Sequence, residues 1–197
     1  MRIISGSQKG RKLFSPPPHE KIIRPTSDRA REALFNILGE RVCRAKVLDL
    51  FAGTGALGLE AFSRGAVLVV FVDNDRLALD LIKRNVLLCL SGCDGNGELR
   101  VIQHDLSKGL PLKKLPPETA AGFDLIFADP PYAKNISLSV LDYLNKSNLL
   151  SEDGMLVIEE RFSIELPSRL SQLRLVDRRV YGENAFWLYV PVLPDGR

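Results

Sequence analysis

The sequence predicts an α/β fold with a mostly parallel, twisted sheet, helices on both faces and a C-terminal antiparallel hairpin. Near-continuous apolar segments of strand length recur along the chain, and segments of helix length separate most of them. This alternation is typical of a parallel sheet that is buried on both faces. The last two strand-like segments are joined only by Gly182-Glu183-Asn184, which is too short for a crossover connection and therefore predicts a hairpin.

The individual elements follow from this alternation. The segment TSDRAREALFNILG (26–39) has Thr26 or Ser27 as a helix cap, one apolar stripe and Gly39 as a stop, so it predicts a helix. Helix-length segments such as GALGLEAFSRG and RLALDLIKRNVLLCL follow strand-like ones. The predicted strands are 46–51, 67–73, 99–105, 123–129 and 155–160, and the hairpin strands are 173–181 and 185–192.

Length and composition set the class of protein. A chain of 197 residues with 45% apolar residues is long enough for one domain with a full core. Its longest apolar runs are of strand length, and MRIISGSQKG at the start lacks the apolar segment of a signal peptide. We therefore expect a cytoplasmic protein. As a separate expectation, we take it to be a monomer. Cys43, Cys89 and Cys93 have no metal-ligand spacing and predict reduced thiols.

Charge is distributed unevenly along the chain. Residues 1–46 contain eleven Lys/Arg and four Asp/Glu, a balance of +7, whereas the balance of the remaining residues is −4. A basic front end suits a polyanion, although small domains often have one basic, solvated face. We expect residues 1–25 to form a basic arm or hairpin that extends a single domain at 26–197.

A glycine-rich loop follows the first predicted strand. In DLFAGTGALG, the residues Gly53, Gly55 and Gly58 have the spacing GxGxxG, which lets the backbone approach a ligand at the start of a helix. Asp73 ends the second strand twenty residues after Gly53, where a carboxylate can accept both hydroxyls of a ribose. This spacing is shared with dinucleotide-binding folds and leaves NAD open.

Four of the predicted strands end on an acid or close to one, at the edge where open α/β sheets bind ligands. These acids are Asp49, Asp73, Asp105 and Asp129. One such residue is usually a cap for the following turn, but four on one edge indicate a ligand site. Asp49 lies four residues before the glycine loop, where its charge would repel a pyrophosphate and attract an ammonium group. A cofactor with an amino acid end fits this position better than NAD.

The fourth predicted strand ends in Asp129-Pro130-Pro131-Tyr132. Proline lacks the backbone donor of a sheet ladder and restricts the residue before it, so the strand should end at Asp129 in a stiff turn. Such a turn would hold an acid, a carbonyl and an aromatic ring in nearly fixed positions around one small flat molecule. An isolated DPPY would instead indicate a strand end with Tyr132 packed in the core.

These motifs together resemble a known family. VLDLFAGTGALGLEA, Asp73 and DPPY are similar to the class I methyltransferases that use S-adenosylmethionine and methylate exocyclic amino groups. GRKL (10–13), RPTSDRAREALFNIL (24–38) and FADPPY further resemble the bacterial 16S rRNA guanine(966)-N2 methyltransferases, over nearly the whole chain. Ser5-Gly6 replaces a more usual glycine pair, Asp73 a glutamate and Ala128 a leucine, and we expect activity to survive these departures.

The resemblance implies transfer of a methyl group from S-adenosylmethionine, without a metal, to a guanine of the assembled or assembling small ribosomal subunit. Asp129 and the Pro130 carbonyl would accept the N–H groups of the target amine, Pro131 would stiffen the turn and Tyr132 would stack on the base. Asp49 would face the amino acid end of the cofactor, Asp73 its ribose and Asp105 its adenine. The implied cofactor-binding residues are Asp49, Phe51, Gly53, Gly55, Asp73, Asn74, Asp105 and Leu106.

Residues of the basic front end are the expected RNA contacts. They are Lys9, Arg11, Lys12, Arg24, Thr26 and Arg29. Arg24 and Thr26 would alternatively reach the cofactor pocket, and Arg29 and Arg31 would alternatively be solvated helix charges. We expect His19 and His104 to be structural. We expect the aromatic residues of the hairpin to pack in the core and along the sheet edge; they are Tyr181, Phe186, Trp187 and Tyr189. Because hairpin residues alternate between faces, the alternative is that one of them borders the target base.

Three alternatives remain at this point. The same chemistry acts on adenine N6 in DNA or RNA and on a protein glutamine amide, but the basic arm argues against a protein substrate, and the N-terminal resemblance argues against DNA adenine. An RNA-binding module that has lost turnover would not need Asp129, Tyr132 and the glycine loop intact. A nicotinamide oxidoreductase would differ in the cofactor that it binds.

Overall fold

The computed structural model describes residues 1–16, 28–91, 97–131 and 136–192, and in this part of the chain it contains one sheet of seven strands in the order β3-β2-β1-β4-β5-β7-β6. The strands are β1 (Lys46–Leu50), β2 (Leu68–Asp73), β3 (Glu98–Gln103), β4 (Phe123–Ala128), β5 (Leu150–Arg161), β6 (Leu173–Tyr181) and β7 (Asn184–Pro191). The helices are α1 (Asp28–Leu38), α2 (Ala56–Ser63), α3 (Arg76–Leu90) and α4 (Ile136–Asn145). Strands β1 to β5 pair with one another in parallel, whereas β7 is antiparallel to both β5 and β6.

The predicted α/β fold and its antiparallel end are therefore confirmed. Most strand bounds agree with the prediction to within two residues, but β5 begins at Leu150, five residues earlier than expected. Its first residues, Ser151 to Asp153, are polar, so apolar character did not indicate a strand there. They lie beside β4, where the register shifts between Phe123 and Leu125.

The two faces of the sheet bury separate cores. One core contains side chains from α1, α2 and α3, among them Phe35, Leu59 and Ile82, and packs against Val47, Phe71 and Phe127 of the sheet. The opposite core contains Val140, Leu141 and Leu144 of α4, packed against the alternate strand positions such as Leu48 and Ile126. Because strand side chains alternate between faces, β1 and β4 can fill both cores with continuous apolar sequence.

Residues 1–16, which we call the N-terminal arm, fold back on themselves and pack against α2 and α3. Arg2 and Lys12 form an isolated antiparallel bridge, and Ile3 N–H donates to the Arg11 carbonyl at 3.0 Å. Gly6 has a φ of +81°, and a Cβ built on it would lie 1.8 Å from the Ser63 carbonyl oxygen of α2. Glycine is therefore required where the arm meets α2. The described part of the expected basic arm or hairpin is an arm that folds back on itself and contains one isolated bridge.

Several expectations concern residues outside the described ranges: the caps Thr26 and Ser27, Arg24, His19, Cys93 and Tyr132. Helix α1 ends at Leu38 as predicted, and Gly39, with a φ of +53°, begins a short 3-10 turn. Cys43 and Cys89 are free thiols. None of the helices in the described ranges has the length and apolar character of a membrane span.

Candidate functional site

The candidate site lies at the carboxyl edge of the central parallel strands. Leu50 of β1 pairs with Val72 of β2 and with Ala128 of β4, so the three strands end at the same level. Asp73 is the last residue of β2, and Asp129 follows β4 directly. The register therefore brings together the acids that the sequence had placed at strand ends, as expected for an open α/β sheet.

The glycine loop connects β1 to α2 through an unusual backbone path. Phe51, Gly53 and Gly55 have φ values of +57°, +57° and +77°. A positive φ is rare for a residue with a side chain, so Phe51 is held in a strained conformation by its surroundings. Gly53 N–H donates to Asp73 Oδ2 at 2.9 Å, which ties the loop to the end of β2. The glycine loop and Asp73, which their spacing in the sequence had singled out, are therefore in direct contact.

The third glycine, Gly58, has a packing role. A Cβ at this position would lie 2.4 Å from Phe71 Cε1 and 3.0 Å from Asp49 Oδ2, so only glycine lets α2 approach the sheet so closely. The close approach also allows Gly58 N–H to donate to Asp49 Oδ2 at 2.9 Å. In this way α2 orients the Asp49 carboxylate below the glycine loop.

Asp49 is an ionisable group in an almost fully buried position, with 2% of its surface exposed. Burial raises the pKa of its carboxyl group from 3.8 to about 8; the Gly58 hydrogen bond lowers that pKa, and the nearby Asp73 charge raises it further. A positive group close to Asp49 would remove this penalty by favouring the charged carboxylate.

Asp129 lies in a second acidic group, on the β4 side. Burial raises the pKa of the Asp129 carboxyl well above its ordinary value, and the charges of Glu159, Asp49 and Glu160 raise it further, in that order. Both glutamates are buried near the end of β5, at 2% and 6% exposure. Glu159 accepts a hydrogen bond from Asn184 Nδ2 at 2.6 Å, and Glu160 accepts one from the Ser137 hydroxyl of α4.

Glu159 and Glu160 were not among the site residues predicted from the sequence. Their only signal was a pair of acids closing an otherwise apolar strand, MLVIEE. The parallel pairing of Ala128 with Ile158 is what brings Glu159 beside Asp129. Two acids at the end of a strand are common in protein sequences. They indicate a functional site only when the structure shows that they lie beside Asp129.

The expected adenine contacts lie farther along the edge, after β3. Asp105 Oδ1 accepts hydrogen bonds from Ser107 N–H at 3.1 Å and from the Ser107 hydroxyl at 2.6 Å, which lower the pKa of its carboxyl group. Asp105 thus caps the short 3-10 helix Leu106–Lys108, in which Leu106 is buried. Asn74, after β2, is exposed. These three residues line the same edge, and their contact with an adenine remains a prediction.

The charge of the site restricts what it can hold. In the described part of the chain, no ion pair neutralises Asp49, Asp73 or Asp129. These carboxylates would repel an anionic pyrophosphate, whereas they would attract a ligand with an ammonium and a sulfonium charge. The residues present therefore fit S-adenosylmethionine better than a dinucleotide.

The predicted RNA contacts are separated by the structure. Lys9, Lys12 and Arg29 are exposed, and Lys9 and Arg29 line an open groove of about 250 Å³ between the arm and α1, together with Arg2. Arg11 is different, because its guanidinium donates to the Leu88 carbonyl and, at 2.9 Å, to the Ser91 carbonyl at the end of α3. Arg11 therefore caps a helix, and any RNA contact would be a second role.

The structure decides three further expectations, which concern Arg31, the hairpin aromatics and His104. Arg31 is fully buried and donates to the Arg2 carbonyl at 2.5 Å and to Asp28 at 3.0 Å, so the alternative of a solvated charge is wrong. Helical periodicity places Arg31 on the apolar face, which the charge had concealed. In the hairpin, Phe186, Trp187 and Tyr189 are buried and Tyr181 packs on Phe186, so core packing is confirmed. His104 has a structural contact, 3.0 Å from the Gly109 carbonyl.

Comparison with known proteins places this chain among its relatives. The model of the family described as Conserved hypothetical protein 95 matches residues 1–190. The chain belongs to this family. A relative of this Conserved hypothetical protein 95 member is the Ribosomal RNA small subunit methyltransferase D of Escherichia coli strain K12, 32% identical over 189 residues that cover 96% of this chain and 89% of that protein.

Solved structures agree with this placement. The hypothetical protein TTHA0928 of Thermus thermophilus is 34% identical to this chain, and the two structures match with a TM-score of 0.77. The match covers 98% of this chain and 99% of that one. The rRNA methyltransferase aviRa from Streptomyces viridochromogenes shares the fold at 16% identity, with a TM-score of 0.67 over 91% of this chain and 88% of that one. The chain is a methyltransferase with the class I fold.

Proposed function

We propose that this methyltransferase transfers a methyl group from S-adenosylmethionine to the exocyclic N2 amine of a guanine in 16S rRNA of the small ribosomal subunit. The observation that carries the proposal is that the sheet register assembles Asp49, Asp73 and Asp129 at the glycine loop, where these three carboxylates have no ion-pair partner in the described part of the chain. A positively charged methyl donor and a neutral amine both suit such a site. The name of the Escherichia coli relative supports the rRNA substrate.

The cofactor would occupy the carboxyl edge from β1 to β3. Asp49 would face its ammonium group, Gly53 and Gly55 would let the backbone approach it, and Asp73 would accept its ribose hydroxyls. Each Asp73 oxygen already accepts one backbone N–H, from Gly53 and Asp75, which leaves further lone pairs on both oxygens. Phe51 would line the same path, and Asn74, Asp105 and Leu106 would bind the ribose and adenine.

The target amine would bind at the DPPY turn. The lone pair of a guanine amine is delocalised into the ring, so the nitrogen is a weak nucleophile until its hydrogen bonds orient it. Asp129 and the Pro130 carbonyl would each accept one N–H, Pro131 would keep the turn stiff, and Tyr132 would stack on the base. Alignment of this kind contributes roughly 7–11 kcal/mol to catalysis.

Methyl transfer also releases a proton. When bound, S-adenosylmethionine supplies an activated methyl group whose bond to sulfur breaks as the bond to nitrogen forms. The methylated nitrogen then carries a positive charge and loses one proton. Burial and three neighbouring acids raise the pKa of Asp129, so its carboxylate would bind that proton more tightly than an ordinary aspartate does.

Substrate binding would use the basic front end. Lys9, Lys12, Arg29 and Arg2 are exposed on or beside the arm and would contact phosphates of the rRNA, together with Arg11, Arg24 and Thr26. A guanine held by Tyr132 must leave its stack, at a cost of a few kcal/mol that stacking on an aromatic ring largely offsets. Residues 1–25 would thus serve as an extension of the domain at 26–197. We place the protein in the cytoplasm, where ribosomal subunits assemble, as a monomer.

The test is transfer of labelled methyl from S-adenosylmethionine to small ribosomal subunits isolated from cells that lack the endogenous enzyme, followed by nucleoside analysis. We expect N2-methylguanosine at a single 16S rRNA position, and more product with assembled subunits than with free rRNA. The variant Lys146→Ala, on the face of the sheet opposite the arm, serves as an active control. Methylated adenosine, or no incorporation despite cofactor binding, would contradict the proposed substrate.

A further inference from the structure

Asn85, in the middle of α3, is a fully buried polar residue outside the site described above. Its Oδ1 accepts a hydrogen bond from Phe14 N–H at 2.7 Å, and its Nδ2 donates to the Phe14 carbonyl at 3.1 Å. The second Nδ2 hydrogen is directed to the Thr54 carbonyl, at 2.9 Å. The orientation of the amide follows from these partners, because a flipped amide would place its oxygen against two carbonyl oxygens.

Through Asn85, these three hydrogen bonds connect two parts of the chain that are far apart in the sequence. Phe14 belongs to the N-terminal arm, whereas Thr54 is the residue between Gly53 and Gly55 of the glycine loop. Thr54 is itself buried, at 3% exposure. The loop is therefore held from two sides, by Asp73 at Gly53 N–H and by Asn85 at the Thr54 carbonyl.

A second tie lies at the other end of the arm. Glu60 of α2 is fully buried and accepts hydrogen bonds from Ile4 N–H at 2.7 Å and from Ser5 N–H at 3.0 Å. Arg64 donates to the same carboxylate at 2.8 Å, and Arg31 Nε lies 3.9 Å from it. The arm is thus attached to the helix that begins at the glycine loop as well as to α3. A buried polar network in which every group is hydrogen-bonded fixes one arrangement of the chain. Loss of one partner is costly, because it leaves a buried polar group unpaired.

We propose that Asn85 is a positioning residue that couples the N-terminal arm to the glycine loop, so that cofactor affinity depends on a docked arm and RNA held by the arm strengthens cofactor binding. The RNA part rests on the proposed function; the dependence of cofactor affinity on Asn85 does not. Linkage requires the coupling to be reciprocal, so the cofactor should strengthen RNA binding by the same factor.

The test compares Asn85→Ala with Phe14→Ala. Asn85→Ala removes the tie to Thr54, whereas Phe14→Ala keeps the backbone hydrogen bonds and loses only the ring, which lies 3.9 Å from the Arg84 guanidinium. Affinity for S-adenosylmethionine is measured by calorimetry without RNA, alongside thermal unfolding and steady-state kinetics. We expect Asn85→Ala to weaken affinity about tenfold and to raise the KM for the cofactor more than it lowers kcat. Phe14→Ala should lose stability but keep its affinity within about twofold of the original.

Equal loss of affinity in both variants at matched stability would mean general destabilisation and would overturn the proposal, as would unchanged affinity in a folded Asn85→Ala protein. A measurement on the unmodified protein covers the case in which Asn85→Ala does not fold. S-adenosylmethionine should slow hydrogen exchange at the amides of Phe14, Ile4 and Ser5, and no change there would contradict the coupling.

The second part of the proposal, that bound RNA strengthens cofactor binding, is tested separately. Addition of a 16S rRNA fragment should lower the Kd for S-adenosylmethionine about fivefold or more in the original protein and leave it unchanged in Asn85→Ala. An unchanged Kd in the original protein would overturn this part. If subunits are not methylated but the effect of Asn85→Ala on cofactor affinity persists, the proposed substrate is wrong and the positioning role stands.

Discussion

At the scale of single residues, Asp49 is the group whose ionisation is most clearly tied to ligand binding. Burial in the fold raises the pKa of its carboxyl group from 3.8 to about 8, so the folded protein binds this proton more tightly than the unfolded chain. The contribution of this group to the stability of the cofactor-free protein is therefore fully present below about pH 4 and is lost as the pH rises toward 8. Binding of a cation favours the carboxylate and should release this proton.

Substitution of Asp49 tests this linkage. We expect Asp49→Asn to weaken binding of S-adenosylmethionine by about 30-fold or more, corresponding to about 2 kcal/mol, because a buried charged partner is lost. Calorimetry in buffers of different ionisation enthalpy, between pH 6 and pH 8, should detect proton release in the original protein and none in the variant. Equal proton release in both would show that another group titrates.

The variant should also change the pH dependence of folding. Without the carboxyl group, the free energy of unfolding should fall less between pH 4 and pH 8 than it does in the original protein. Urea denaturation of the cofactor-free protein at several pH values measures this difference. Parallel pH profiles for the two proteins would contradict the raised pKa of Asp49.

Asp129 has a different predicted role, in catalysis. We expect Asp129→Ala to reduce methyl transfer by about 10²- to 10⁴-fold, because the amine loses the acceptor that orients it and takes up its proton. Affinity for S-adenosylmethionine should change little, since Asp49 and Asp73 remain. Single-turnover transfer and calorimetry measure the two effects separately. Loss of both together would indicate a folding defect or a wrong assignment.

At the scale of elements, the contact between the arm and α2 depends on Gly6. Gly6→Ala would place a Cβ against the Ser63 carbonyl oxygen at a position with a φ of +81°, so the arm must move away from α2. We expect a loss of more than about 2 kcal/mol in the free energy of unfolding, from about 1–2 kcal/mol of backbone strain plus the clash. Faster hydrogen exchange at Ile4 and Ser5 should accompany it.

Gly10→Ala is the matched control, because Gly10 has a nearly identical φ of +83° but no atom within 4 Å of a Cβ. It should cost only the backbone strain of about 1–2 kcal/mol. Equal losses in the two variants would mean that the arm is not held close to α2. If the coupling through Asn85 is correct, Gly6→Ala should also weaken cofactor binding, and Gly10→Ala should not.

At the scale of the whole molecule, the contrast between a basic front end and an acidic body predicts salt-dependent RNA binding. Lys9 and Lys12 are exposed, whereas Arg11 caps α3, so the two lysines report on RNA without disturbing the fold. Lys9→Ala with Lys12→Ala should lower the slope of log affinity against log salt by about 1 per lysine. Lys146→Ala, paired with Asp142 on α4, should leave the slope unchanged. An unchanged slope in the double variant would place the RNA elsewhere.

Local sequence patterns were sufficient to predict the fold class, the succession of strands and helices along the chain, and the row of acids at strand ends. These follow from periodicity and from residues with one dominant physical effect, such as the prolines after Asp129 and the glycines after Asp49. The family resemblance extended this to a cofactor and a substrate. The proposed roles of Asp49, Asp73 and Asp129 needed no knowledge of distant contacts.

The identity of neighbouring side chains across the sheet, in contrast, emerged only from the folded chain. Glu159 and Glu160 join Asp129 through strand pairing, Arg31 is buried rather than solvated, and Arg11 caps α3. Asn85 connects the arm to the glycine loop over a separation of 71 residues from Phe14 and 31 from Thr54. Sequence patterns report the face on which a residue lies, whereas the partner it meets depends on how separate elements pack, which no local pattern contains.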